Sequence, residues 1–299
     1  MINLQIYLKD KRGLVEQAMA DLMPGPVNPP AELARHLEAM RHSLFAGGKR
    51  VRPILCLAAC EAVGGAVSQA LPAAVALEYI HTYSLIHDDL PAMDDDELRR
   101  GQPTNHILYG EAGAILAGDG LLTLAFELLS GGLPTDIEPG ARLRIINIIA
   151  RAAGSLGMVG GQAMDIGAEG REIDIETLRE IHSRKTGALI TAAVQAGAVI
   201  GGASLDQFAA LTTYGEKIGL AFQIVDDLLN VEGNAEQLGK AAGSDADRCK
   251  ATYPAVYGVE RTRQLAEETV AGALKALADF DENSAPLRHL ASYIISRNK

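Results

Sequence analysis

Residues 88–97 read DDLPAMDDDE, six carboxylates in ten residues. Pro91 cannot continue a regular helix, so the chain must kink or stop there. On an unbroken helix Asp94 would lie about 120° around the axis from Asp88. A kink at Pro91 lets Asp94 fold back beside Asp88. Carboxylates crowded in this way repel one another unless cations fill the gap. Oxygen-only ligands favour Mg²⁺ or a similarly hard ion over zinc. The plain alternative is a solvated acidic loop. A second acidic pair, Asp226-Asp227, interrupts the apolar run of QIVDDLLN at 223–230. Asp226 and Asn230 are four apart and share one helix face. A buried carboxylate without a partner is costly, so this pair either faces water or faces a cation.

Basic residues supply the complementary charge. Gly47-Gly48-Lys49-Arg50-Val51-Arg52-Pro53 is a glycine-loosened loop leading into a helix, where backbone N–H groups and two or three cations make an anion site. Arg99-Arg100 follow the first acidic site directly, and Lys185-Thr186 open an apolar helix at its N-terminus. Lys240 and Lys250 follow the second acidic pair. Each alone reads as a surface charge. Together with two acidic sites they describe a diphosphate gripped by metal on one side and by Lys/Arg on the other, since carboxylates need a metal bridge to bind phosphate.

These residues must be positioned by helices. Apolar residues recur at spacings of three and four over 31–45, 51–63, 69–88, 105–129, 140–159, 174–183, 186–200, 205–231, 258–280 and 286–296. Runs with period two are scarce. Breaks fall at Pro24–Pro30, Gly47-Gly48, Gly64-Gly65, Gly131–Pro134, Gly167–Gly170, Gly201-Gly202 and Gly233. Asp174 is a suitable cap for one helix and Ser204 or Asp206 for another. The expectation is an all-α fold, a single large helical domain over 1–299 with two long apolar helices that end in paired aspartates.

Composition narrows the function classes. The 299 residues are 48% hydrophobic and 22% charged, a globular balance. A net charge of −11 makes the chain a poor general nucleic-acid binder. Cys56, Cys60 and Cys249 cannot form a disulfide framework, and Cys56 and Cys60, one turn apart in an apolar run, read as core. The weakly polar stretch 188–203 falls short of the roughly 20 apolar residues a membrane span requires. No targeting segment is recognisable, which leads to the expectation of a soluble, cytoplasmic protein.

The motifs as a set resemble those of the trans-isoprenyl diphosphate synthases, most closely the bacterial farnesyl type. They are GGKRVRP at 47–53, HTYSLIHDDLPAMDDDELRRG at 81–101, AGDGLLTLAF at 117–126, GGQAMDI at 160–166, IHSRKTGAL at 181–189, GLAFQIVDDLLN at 219–230, LGK at 238–240 and KATYP from Lys250. The resemblance runs from about Leu33 to the C-terminus. It implies an isoprenoid-synthase helical bundle with a central cavity, acting as a homodimer on isopentenyl and allylic diphosphates. Asp88 and Asp94 would bind two Mg²⁺ ions (Mn²⁺ is an alternative), with Asp89 in support, and Asp226 a third, with Asp227 nearby. Arg99, Lys185 and Lys240 would contact the allylic diphosphate. Gly48, Lys49, Arg52, His81 and Arg100 would hold isopentenyl diphosphate, and Thr186 and Gln223 would lie near the reacting carbons. The implied reaction is ionisation of the allylic C1–O bond, attack by the isopentenyl double bond and loss of a proton. One departure is Asn230, where the family usually has Asp.

Product length is a separate expectation. Tyr83 and Ser84 lie five and four residues before Asp88, about one helical turn below the metals. A prenyl chain hung from those metals must extend down this helix, and the Tyr83 ring would act as a floor, because overlap with a packed ring is prohibitive in a close-packed interior. Farnesyl diphosphate is the expected product and geranylgeranyl diphosphate the alternative. A class I terpene cyclase would leave the 49–52 cations and His81 unexplained. A non-catalytic partner subunit would be expected to lack site residues that this chain retains.

Overall fold

A computed structural model describes residues 3–171, 173–232 and 252–296. The described chain is all-α apart from one two-stranded antiparallel hairpin, β1 (Leu98–Arg99) with β2 (Gln102–Pro103), paired Leu98 to Pro103 and Arg99 to Gln102. The helices are α1 (Leu4–Leu22), α2 (Ala31–Leu44), α3 (Val51–Ala62), α4 (Val67–Asp88), α5 (Asn105–Glu127, continued by a π-helical turn Leu128–Gly132), α6 (Pro139–Ala153) and α7 (Met158–Ala168). Then come α8 (Ile175–His182), a π-helical turn Ser183–Gly187, α9 (Ala188–Ile200), α10 (Leu205–Glu232), α11 (Tyr253–Tyr257), α12 (Val259–Ala276), a 3₁₀ turn Glu282–Ser284 and α13 (Ala285–Ser296).

Three apolar helices form the centre. α3, α4 and α9 are buried on most of their surface, so their sequences show little amphipathic contrast. α3 packs on α9 and α4, α9 on α10, α10 on α12, and α4 on α5. The two acidic motifs therefore lie at or near the C-terminal ends of two bundle helices, α4 and α10. Cys56 and Cys60 are buried in α3 and unpaired, and burial pushes both thiols up. Asp174 caps α8, its Oδ1 accepting the Thr177 N–H at 2.8 Å, and Ser204 Oγ accepts the Gln207 N–H at 3.2 Å.

Several expectations need correction. The periodic run 140–159 is two helices, because Gly154 and Gly157 release the backbone while the apolar phase carries on across the break. α1 lies outside the periodic segments because charged residues dilute its pattern. It still buries Val15 and Met19, and Tyr7 Oη and Lys11 Nζ donate to Glu61 of α3 at 2.6 and 2.5 Å. Two segments, Asn105–Gly132 and Pro139–Ala168, are longer than 188–203 and, by length and composition alone, long and apolar enough to cross a membrane. One face of α5 packs on α4 and α2, while Ile107, Leu108, Ile115 and Leu116 remain exposed.

Candidate active site

The first acidic motif folds as a tight return. α4 stops at Asp88, and the Asp94 N–H donates back to the Asp88 carbonyl at 2.8 Å. Asp95 adopts a left-handed φ of 52°, and its N–H donates to the Leu90 carbonyl at 3.1 Å. The break at Pro91 thus brings Asp94 beside Asp88. Burial raises the Asp88 carboxyl to about 6; Lys185 and Arg99 oppose the shift, and Asp94 and Asp89 add to it. Asp89 turns inward and is gripped by Arg99, whose Nε donates to Oδ1 and Oδ2 at 2.7 and 2.9 Å and whose Nη2 lies 2.5 Å from Oδ1. This fork holds β1 against the end of α4.

Opposite stands a wall made by α7 and the π turn. A Cβ on Gly161 would lie 2.2 Å from the Lys185 backbone nitrogen, so only glycine lets α7 approach so closely. Lys185 Nζ donates to Asp165 Oδ2 of α7 at 2.6 Å. Burial works against the Lys185 ammonium, but Asp165, Asp88 and Asp94 outweigh it and raise its pKa. The expected helix N-terminus at Lys185-Thr186 is corrected here. α8 runs through the π turn into α9, so the backbone N–H groups stay inside the helix and the side chains carry the site. Thr186 Oγ1 donates to Gln223 Oε1 at 3.2 Å, which ties the turn to α10.

On α10, Asp226 lends its negative charge to Arg52. Asp227 instead seats the start of α11 on α10. Its Oδ2 accepts the Tyr253 N–H at 2.8 Å, and its Oδ1 lies 4.0 Å from His182 Nε2. Lys240 and Lys250 lie outside the described residues.

The cationic end is built on the glycine loop before α3. Gly47 and Gly48 have φ of 92° and 140°, and a Cβ on Gly48 would meet the Arg100 guanidinium. Arg100 Nη1 donates to the Gly47 carbonyl. Burial lowers Arg52 to about 10; Glu78 and Asp226 oppose this, and Arg100 adds to it. His81 is held well below the usual histidine range by burial, then by Arg52, Arg100, Arg99 and Arg50, so the ring is neutral. Lys49 departs from this cluster. It is exposed and lines a neighbouring cavity between α1, α3, α10 and α13.

These walls line an open cavity of about 390 Å³. Arg52 and His81 line it, together with Asp88, Lys185 and Thr186, and Met158, Val159, Ala163 and Ile166 of α7 supply apolar lining. Tyr83 and Ser84 line it too; Ser84 Oγ donates to the His81 carbonyl at 2.8 Å, and the Tyr83 ring meets His87 edge-on at 5.7 Å. Three buried polar atoms of lining residues have no hydrogen-bond partner: Arg52 Nε, His81 Nδ1 and Gln162 Oε1. Unpartnered buried groups are costly, and several in one cavity mark a place for a polar ligand.

Among the described residues no three His, Cys, Asp or Glu side chains converge as one metal-ligating group. That arrangement still fits Mg²⁺, which takes one or two carboxylates and completes its shell with water and substrate phosphate. Asp88, desolvated and beside the folded-back Asp94, is such a donor. Three participants escape sequence reasoning: Gln162, Asp165 and Glu78. The first two fall inside the GGQAMDI run, whose helix has no separate signal; Glu78 is hidden within an apolar helix.

Comparison with known proteins agrees with this architecture. The polyprenyl synthetase family model matches residues 34–285. A geranylgeranyl diphosphate synthase of Cyanophora paradoxa is 46% identical over 99% of this chain and 97% of its own length. A farnesyl diphosphate synthase of Geobacillus stearothermophilus is 44% identical over 99% of both chains. The crystal structure of an FPP/GFPP synthase from Zymomonas mobilis superimposes with a TM-score of 0.86 at 39% identity, covering 98% of this chain and 99% of that one. An all-α bundle, acidic motifs on two of its helices and a family match over most of its length together establish that the chain belongs to the polyprenyl synthetase family of prenyltransferases.

Proposed function

We propose that the chain is a farnesyl diphosphate synthase, condensing isopentenyl diphosphate with dimethylallyl and then geranyl diphosphate. The observation that carries this reading is the cavity itself. It has a carboxylate–lysine end at Asp88 and Lys185, a second polar end at Arg52 and His81, and the Tyr83 ring in its wall. Two diphosphates need two anion sites; a cyclase needs one.

Each wall then contributes separately. Mg²⁺ held by Asp88, Asp94 and Asp226 would neutralise charge on the allylic diphosphate as it departs. Lys185 stays protonated beside Asp165 and offers N–H donors to the same diphosphate, as does Arg99 from its fork on Asp89. Such fixed donors act where negative charge develops and need little reorganisation. Arg52 and Arg100 bind isopentenyl diphosphate, with neutral His81 as a hydrogen-bonding partner. The Thr186 hydroxyl and Gln223 carboxamide face the reacting carbons. The apolar α7 wall excludes water that would quench positive charge there. Departing diphosphate accepts the final proton, so no protein base is required.

A homodimer and a cytoplasmic location belong to the same reading, as does the absence of a membrane span. The exposed apolar residues of α5 then face a second copy rather than lipid. A twenty-carbon product is the alternative, since relatives carry both names. Steady-state kinetics test the division of the site. Arg52→Ala should raise KM for isopentenyl diphosphate about tenfold, and Lys185→Ala should act mainly on the allylic substrate. Equal effects on both substrates contradict the division.

A further inference from the structure

The cations beside His81 raise an electrostatic problem before any substrate arrives. Arg50, Arg52 and Arg100 gather where α3 begins; Arg50 is buried, Arg52 half-buried and Arg100 exposed, and a buried guanidinium is costly without a counter-charge. Glu78 of α4 supplies it. Glu78 is 2% exposed and Arg50 3%, and Arg50 Nη1 donates to Glu78 Oε1 at 2.6 Å. Arg50 Nη2 donates to the Leu44 carbonyl at 2.9 Å, and its Nε lies 3.6 Å from Glu16 of α1. Glu78 is also the leading favourable charge on both Arg52 and Arg100.

The backbone shows what the pair accomplishes. Arg50 has a left-handed φ of 50° at the residue before α3. Its side chain is the inward anchor of the glycine loop, whose neighbouring residues are Lys49 and Arg52. Glu78 is one helical turn before His81 on α4. One buried contact therefore fixes the loop wall against the histidine wall.

We propose that Arg50 and Glu78 are a positioning pair for isopentenyl diphosphate: neither touches substrate, and together they set Arg52 and Arg100 against His81. The inference rests on the reading of that end of the cavity given above. A pair with only a structural role would change stability without distinguishing the two substrates.

Removing one half of a buried ion pair is strongly destabilising, whereas replacing both halves by apolar residues is often tolerated. The test is therefore the double variant Arg50→Met/Glu78→Leu, with folding followed by circular dichroism and KM measured for each substrate. The expected result is a folded enzyme whose KM for isopentenyl diphosphate rises about tenfold, with the allylic KM within about twofold of wild type. A folded double variant with both values unchanged, or both raised alike, overturns the proposal. If the double variant does not fold, Arg50→Lys decides. It keeps a cation beside Glu78 but not the planar fork that also reaches Leu44. A selective rise of about threefold or more is then expected, and no rise overturns the proposal. Arg52→Ala is measured alongside. If it raises the isopentenyl KM while the pair variant does not, the pair inference alone fails. If it too leaves that KM unchanged, the reading of the site fails and the inference with it.

Discussion

Asp88 joins burial, negative neighbours and a lysine in one place, and its raised pKa reports that strain. A carboxylate in such a position is stabilised by a bound cation. Asp88→Ala and Asp226→Ala should each lower turnover by about 10³-fold or more at saturating Mg²⁺, with unchanged circular dichroism. Near-normal turnover in either variant removes that residue from the metal site. A second expectation concerns acid stability. His182 is lowered to about 4 by burial, with Lys185 pushing the same way and Asp165 opposing, and His81 is lowered too. For both rings the folded pKa lies below the unfolded value near 6.5, so the unfolded chain binds more protons between those values. The His182 contribution to stability is complete above about pH 6.5 and is lost as pH falls toward 4, and that of His81 is lost in the same direction. Melting temperature should drop across that window, and His182→Gln should flatten the drop; an unchanged slope contradicts the assignment. At this scale the sequence is informative about residue types but not about partners. The DDxxxxD spacing with Pro91 announces the return of Asp94 to Asp88. Nothing in the sequence announces that Asp227 holds the Tyr253 amide, or that Arg99 closes on Asp89, because such partners are set by packing between distant segments.

The helices place these groups by their depth in the bundle. α4 carries Glu78, His81, Tyr83, Ser84 and Asp88 within three turns, so one rigid element spans the cation end, the wall and the proposed metal end of the cavity. Tyr83 is nearly buried and braced by His87, whose Nε2 donates to the Ile115 carbonyl at 3.1 Å. A ring held in this way is a stiff obstacle. Tyr83→Ala should therefore shift products toward twenty carbons or more, read by thin-layer chromatography. An identical product from both enzymes would place the floor elsewhere. The long apolar helices are legible from their length and the breaks that bound them, since burial on most sides flattens the periodic contrast in α4. The break at 154–157 and the π turn at 183–187 are not. The first keeps the apolar phase across two glycines, and the second adds a residue to a turn without any distinctive composition.

Across the whole molecule, α5 exposes two apolar pairs, Ile107 and Leu108 before the break at Gly110 and Ile115 and Leu116 after it. In the proposed homodimer the second pair is covered. Leu116→Glu, which places a charge on the most exposed of the four, should convert a dimer to a monomer in sedimentation equilibrium; an unaltered dimer locates the interface elsewhere. The central claim concerns chemistry and product together. Radiolabelled isopentenyl diphosphate, dimethylallyl diphosphate and Mg²⁺ should be incubated with the purified protein and the products sized by chromatography. Metal-dependent incorporation into a fifteen-carbon diphosphate is the result predicted. A twenty-carbon main product, a cyclised product, or no metal-dependent incorporation would contradict it.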